Sequence, residues 1–338
     1  MGHNLADLIM RFRALGIGEQ IDYDKFYLYS IITHSTAIEG STITEIENRL
    51  LFDEGISARG KSMMEQLMNI DLRQAYAEAM TMAKRHDDIS VNMLCHLSSL
   101  VMQHTGAEYS TALGNFSVAK GDLRLLNVSA GFGGRSYLSY NKVPQYLENF
   151  CQMINKARHE IDSSDIEAVY QLSFDAHYHL VTIHPWADGN GRMARLLMNY
   201  IQFEFDLVPS KIDKEAKADY IQALEDAREE DSLQPFRQFM AEHHALNLSR
   251  IIDEFEASMD DPVSLRKQES NQKSNQKSNQ KILEAIRSNP RVTIKELQVI
   301  AGLSESGVKK VLKHLREEGK VCRVGSDKGG YWKDMSDD

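Results

Sequence analysis

Between Ser270 and Lys281 the chain repeats Ser-Asn-Gln-Lys three times in tandem. A tract with no apolar side chain cannot offset the entropy lost on ordering, so it reads as a linker, and packed structure must form on either side of it. At 338 residues the chain is about twice the ~150 residues of a common domain, which also favours more than one folded part. The expected organisation is an N-terminal helical region at 1–90, a helical core at 91–250, a helix end and linker at 251–281, and a small domain at 282–338.

The net charge is −10 and the isoelectric point near 5.7, which would exclude a protein that coats nucleic acid, were the charge evenly spread. It is not. Residues 1–281 hold 28 Lys/Arg against 40 Asp/Glu, whereas 282–338 hold 11 against 9, and three of those acids sit in the last five residues. Over 282–333 the balance is 11 to 6, a modestly basic module. Cys95, Cys151 and Cys322 lie far apart with no C-x-x-C pair, which points to free thiols and not to a disulfide scaffold or a thiolate zinc site. The first residues lack a basic stretch followed by an apolar one, and no apolar run approaches the ~20 residues that span a bilayer. The expectation is a cytoplasmic chain with no membrane partner.

Helical spacing of apolar residues marks Glu45–Phe52, Met63–Lys84, Val91–His104, Val143–Ala157, Asp165–Val181, Met193–Phe205 and Ala216–Glu229. Ser164-Asp165-Ile166-Glu167 has the form of a capping box opening the helix that runs towards His184. The exception is 114–141, where glycines 114, 121, 131, 133 and 134 punctuate β-prone pieces such as Leu123–Val128 and Ser136–Tyr140. A β-hairpin or flap on a helical body is expected there.

The chemistry is concentrated in His184-Pro185-Trp186-Ala187-Asp188-Gly189-Asn190-Gly191-Arg192-Met193-Ala194-Arg195. Pro185 disfavours helix at His184, so one helix ends there and another begins after the glycines. Gly189 and Gly191 permit a close-approaching run of backbone N–H groups at a helix N-terminus, a site suited to phosphate. At about 100° per residue, Met193, Leu196, Leu197, Tyr200 and Ile201 share one face of the second helix, and Arg192, Arg195 and Asn199 the other. Two guanidiniums one turn apart can clamp a polyphosphate, Asp188 can hold Mg²⁺ against it, and His184 can exchange a proton near neutral pH. A metal hydrolase on His177, His179, His184 and Asp188 is disfavoured, because His177 and His179 point about 200° apart on a helix.

This run resembles the signature of the Fic family, His-Pro-Phe-x-Asp/Glu-Gly-Asn-Gly/Lys-Arg, with Trp186 in place of Phe. The resemblance covers roughly residues 30–250. It implies a mainly α fold, a helical Fic domain with a small β-hairpin flap, that transfers AMP from ATP to a hydroxyl of a target protein. By carry-over, His184 is the general base, Asp188 ligates Mg²⁺, and Gly189, Asn190, Gly191 and Arg192 hold the α- and β-phosphates. Arg195 would hold the γ-phosphate. The flap at 120–140 would hold the target's extended segment, and Tyr220 stands where family members often contact adenine, with ordinary helix packing as the competing reading.

Ser35-Thr36-Ala37-Ile38-Glu39-Gly40 resembles the family's inhibitory motif, Ser/Thr-x-x-x-Glu-Gly/Asn. In family terms Glu39 would pair with Arg195 and block the γ-phosphate; in some relatives the same glutamate helps remove AMP.

Residues 282–333 have the pattern of a winged helix-turn-helix, a small α+β domain. Helix Ile282–Ser288 is followed by the capping box Thr293-Ile294-Lys295-Glu296, a second helix ending near Gly302, and a third from Ser304 to Glu318. On the third, Val308, Val311, Leu312 and Leu315 face inward and Lys309, Lys310, Lys313 and Arg316 outward. After Gly319, Val321–Val324, a turn at Gly325–Gly330 and Tyr331–Trp332 form the wing. The resemblance is to bacterial winged-helix regulators, with DNA or a docked protein as partner. A homodimer is compatible with all of this. The competing function is a nucleotide-sensing transcriptional regulator, which would need the phosphate clamp but not His184.

Overall fold

The computed structural model describes residues 5–20, 22–130, 134–260, 281–301, 305–317, 320–324 and 330–335. The Ser-Asn-Gln-Lys tract up to Gln280, glycines 131, 133 and 319, Gly302, Ser304, Glu318 and the wing turn at 325–329 lie outside the described residues. The chain divides into two compact units, Met1–Asp253 and Glu254–Asp338.

The first unit runs through α1 (Leu5–Ala14), α2 (Tyr23–Ile38), α3 (Glu45–Glu54), α4 (Met63–Lys84), α5 (Val91–Val101), a hairpin β1 (Glu108–Thr111) and β2 (Gly114–Ser117), then α6 (Val143–Glu160), α7 (Ile166–Ile183), α8 (Asn190–Glu204), α9 (Lys217–Glu229) and the start of α10 (Gln234–Asp260). Local chemistry sets these boundaries. Thr44 with Glu47 and Ser62 with Glu65 form reciprocal capping boxes at α3 and α4, and Ser90 accepts from Met93 N to open α5. At α7 the cap is Asp165, which accepts from Ala168 N, and not the expected Ser164. Ser164 is turned back instead, its hydroxyl donating to Asp162 at 2.7 Å.

α7 and α8 pack at the centre, with α4 and α5 against α8. Leu72, Leu94, Leu97, Leu180, Leu196 and Tyr200 are fully buried between them. The polar face of α8 is buried too: Asn199 accepts from the Tyr76 hydroxyl at 2.7 Å and donates to Gln202 and Ser210 O. Pairing offsets the cost of burying Asn199, and this stretch of the face is aimed at α2 and α4.

Leu123–Val128 and Ser136–Tyr140 do not form strands. The regular hairpin lies upstream, pairing Glu108 with Ser117 through Thr111 with Gly114. The segment at 123–140 doubles back through Tyr137 N to Val128 O at 3.0 Å, Ala130 N to Arg135 O at 3.0 Å and one bridge, Ser129 to Ser136. Side chains take the groups that would have extended a ladder: Arg124 donates to Leu126 O and Leu138 O, and Asn127 accepts from Tyr140 N.

The second unit packs α11 (281–288), α12 (Ile294–Ala301) and α13 (Glu305–Glu317) on an antiparallel hairpin, β3 (Val321–Val324) and β4 (Tyr331–Asp334). Its core includes Ile282, Ile286, Leu297, Val308, Leu312 and Trp332. The Thr293–Glu296 capping box is formed in both directions. Lys309, Lys313 and Arg316 are exposed. The three cysteines are free thiols. Among the described residues no helix is long and apolar enough to cross a membrane.

Candidate active site

α7 ends at His184, which adopts a left-handed conformation, φ 52°, ψ 62°, uncommon for a residue other than glycine. The surroundings hold it there. His184 N donates to Leu180 O at 3.0 Å, and the Arg124 Nε donates to His184 O at 2.8 Å. The turn throws the ring out of the helix axis, with Nδ1 3.2 Å from Val181 O. A carbonyl only accepts, so Nδ1 carries the proton and the Nε2 lone pair is left available. Burial pushes the imidazole pKa down to about 4, against the Val181 carbonyl, which favours the charged form. The ring is therefore neutral at pH 7, able to accept a proton.

The loop after it is rigid. Trp186 is fully buried and its indole donates to Gly121 O at 3.1 Å. Asn190 bonds Trp186 twice, accepting from its N at 3.1 Å and donating to its O at 2.9 Å. Gly189 has φ +82°, and a Cβ there would stand 2.7 Å from Met102 Sδ. The sequence feature that suggested an anion cradle is thus enforced sterically as well as conformationally.

Arg192 opens on this cradle from the first turn of α8. It is 2% exposed, yet its Nε and Nη1 have no hydrogen-bond partner, and the nearest carboxylate oxygen, Asp188 Oδ1, is 3.8 Å from Nη2. Buried guanidinium donors left unpaired are costly, and an anion seated between them and the α8 N-terminus would satisfy them. Asp188 is exposed, with Oδ1 accepting from Gly189 N at 2.6 Å.

Arg195 differs from Arg192 in that its Nε and Nη2 are engaged. Its Nε donates to Ser35 Oγ at 2.8 Å, and its Nη2 to Ser35 O at 3.0 Å and to Glu39 Oε1 at 2.6 Å. All three bonds go to α2 and its C-cap. Burial opposes charge on both members, but their mutual attraction wins: the Glu39 carboxyl is held below the usual carboxylate range and the Arg195 pKa is raised. The Glu39 carboxylate also lies against the first turn of α8, since a Cβ on Gly191 would stand 2.6 Å from Oε1.

Tyr220, on α9, is 2% exposed, its hydroxyl 3.0 Å from His177 Nε2, in the packed layer behind Arg195. Three residues passed over in the sequence belong to the site's frame. Arg124, 1% exposed, ties His184 O to both arms of the flap. Tyr137 stacks on the His184 ring, centroids 3.8 Å apart at 17°. Asn69, fully buried, bonds Thr36, Asn48 and Ser41 and so fixes the end of α2. A single arginine inside a β-prone stretch was the signal for the first; the other two have no local signature.

Residues 88–202 match the Fic/DOC family, and residues 276–321 a winged helix-turn-helix DNA-binding family. The chain is 29% identical over 241 residues to the protein adenylyltransferase fic-1 of Caenorhabditis elegans, an overlap of 70% of this chain and 43% of that protein. It therefore spans less than half the length of that curated relative. In fold it is similar to a Fic domain containing signaling protein of Bacteroides thetaiotaomicron, with a TM-score of 0.61 and 18% identity over 75% of this chain and 97% of that one. A Fic family protein of Desulfovibrio desulfuricans gives 0.56 and 17%, over 99% and 96%.

Proposed function

We propose, from the premise that the chain carries a Fic/DOC domain and a winged helix-turn-helix, that it transfers AMP from ATP to a hydroxyl side chain of a target protein and is held back by its own Glu39. The observation that carries this reading is a neutral imidazole with its Nδ1 held on Val181 O, at the head of a loop leading to two buried guanidiniums, of which one keeps two donors unpaired and the other is bonded to Glu39.

ATP would lie on the N-terminus of α8. The backbone amides of Asn190 and Gly191 and the free donors of Arg192 receive the α- and β-phosphates, and Gly189 N joins them once Asp188 Oδ1 releases it; the Asn190 side chain, committed to Trp186, shapes the loop instead. Arg195 takes the γ-phosphate once Glu39 leaves. His184 Nε2 accepts the proton of the target hydroxyl as its oxygen bonds the α-phosphorus; the bond to pyrophosphate breaks and pyrophosphate departs. Positioning and charge stabilisation supply most of the acceleration in such transfers. Asp188 would hold Mg²⁺, being an exposed carboxylate at the start of the cradle, since Mg²⁺ favours one or two carboxylates completed by phosphate oxygens and water. When bound, it neutralises phosphate charge. The target's extended segment would rest on the flap at 120–140, while Tyr220, 2% exposed, supports the clamp from behind and does not reach adenine here. The winged unit would contact DNA through its basic face.

The free Nε2 favours transfer over nucleotide sensing, since a sensor has no use for a base. The test is incubation of wild type, Glu39→Gly and His184→Ala with labelled ATP, GTP, CTP and UTP. Label from ATP in Glu39→Gly and none in His184→Ala supports the reading; no label from any nucleotide in Glu39→Gly overturns it.

A further inference from the structure

The hydrogen bond from Nδ1 to Val181 O fixes one in-plane direction of the His184 ring and leaves the ring free to tilt about it. A second constraint acts along the ring normal. Tyr137 covers one face at a centroid distance of 3.8 Å and 17° between planes. The Arg228 guanidinium, on α9, stands 5.8 Å from the Tyr137 ring. The backbone of Tyr137 is anchored as well: its N donates to Val128 O at 3.0 Å, and the carbonyl of its neighbour Leu138 accepts from Arg124, the residue that also bonds His184 O. The accepting lone pair of an imidazole lies in the ring plane, so a partner on the face restrains the base without blocking Nε2.

We propose that Tyr137 is a positioning residue for His184: its ring fixes the tilt of the imidazole and couples the alignment of the base to the flap. This rests on the AMP-transfer reading. The coupling has a direction. The arm carrying Tyr137 belongs to the flap on which a target segment would rest, so a flap displaced from this position also frees the ring to tilt. Loss of alignment at a proton-accepting atom costs rate and not nucleotide affinity.

The experiment is made in the full-length Glu39→Gly protein, with Tyr137→Ala and Tyr137→Phe. Self-labelling at saturating ATP should fall about tenfold or more in Tyr137→Ala, with the half-saturating ATP concentration within about twofold, and Tyr137→Phe should stay near the parent. Histidine Cε1–Hε1 spectra, assigned through His184→Ala, give a readout independent of turnover. The upfield ring-current shift of His184 should persist in Tyr137→Phe and vanish in Tyr137→Ala. An unmoved His184 signal in Tyr137→Ala, an unchanged limiting rate, or a loss in Tyr137→Phe equal to that in Tyr137→Ala overturns the proposal. A parent that labels while Tyr137→Ala matches it sinks this inference alone; a parent that takes no label from any nucleotide sinks the transfer reading with it.

Discussion

Replacing Glu39 by glycine removes one partner of a 2.6 Å charge-assisted bond to Arg195. Bonds to charged groups contribute about 1.5–3 kcal/mol. Solvent reaches this one, for the Glu39 side chain is 32% exposed while that of Arg195 is 4% exposed, which places it in the lower half of that range. The carboxylate further benefits from the N-terminus of α8 beside Gly191, worth ~0.3–1 kcal/mol. Release of about 2 kcal/mol corresponds to roughly a 30-fold gain in the availability of Arg195 to a phosphate. The assay is self-labelling from labelled ATP under single-turnover conditions: Glu39→Gly should exceed wild type by roughly that factor, and Glu39→Gln, which keeps the shape and loses the charge, should fall between. The pH dependence carries a sign. The Glu39 carboxyl has a lowered pKa in the fold, so the pair is complete above the ordinary carboxylate pKa and is lost as pH falls through the lower, folded value. The ratio of the two proteins should therefore be flat between about pH 6 and 8. A Glu39→Gly protein that labels no faster than wild type, or a ratio that collapses near neutrality, would refute the inhibitory pairing.

Three further outcomes are expected. With its pKa near 4, His184 should leave the labelling rate of Glu39→Gly without a limb around 6.5, the base being lost only as pH falls through about 4; a limb at 6.5 would show an exposed ring instead. Asn69→Ala, which cuts the buried bonds to Thr36, Asn48 and Ser41, should lower stability by about 1–3 kcal/mol in denaturant unfolding. It should also raise self-labelling in the wild-type background but not in Glu39→Gly, whereas an equal rise in both would place its effect elsewhere. The full-length chain should bind mixed-sequence duplex DNA with an affinity that falls as salt rises, with a log–log slope of about −3 to −4 for three or four phosphate contacts; binding without a slope would assign the winged unit to protein docking.

What could be read from the residues was whatever a short stretch determines by itself. Apolar spacing gave α4 its range and a capping box gave α12 its start; Pro185 placed the end of α7, although α8 opens at Asn190, between the two glycines and not after them. Apolar spacing along α13 picked out Val308, Leu312 and Leu315, which are buried. The errors lie where a distant group competes with local preference. Leu123–Val128 has strand-like composition, yet Arg124 takes the carbonyls a strand partner would have used. Ser164 has the form of a cap, yet Asp162 claims its hydroxyl. The pairing of Glu39 with Arg195 spans 156 residues and was available only through resemblance, because no periodicity relates the two. Tyr137 and Asn69 had no signature at all, since a stacking partner and a buried amide are defined by what packs against them.

The unequal state of the two arginines bears on how inhibition would work. Arg192 keeps two unpaired donors while Glu39 is in place, and the amides of the cradle are not covered by any contact from α2 other than that carboxylate near Gly191. Arg195, by contrast, has its Nε and Nη2 turned to Ser35 and Glu39. A polyphosphate could then engage Arg192 and the loop while being refused at Arg195, so the inhibited protein would retain nucleotide affinity and lose alignment. The surrounding charge makes this distinction sharper. With 35 Asp/Glu against 23 Lys/Arg in residues 1–253, the long-range field of the unit repels ATP, and binding depends on the few donors within hydrogen-bond reach. Removing one carboxylate from the clamp alters the short-range interaction by far more than it alters the net charge, so the gain in Glu39→Gly should survive at high salt. A gain that disappears as salt screens the field would mean that Glu39 acts through charge at a distance and not through its bond to Arg195.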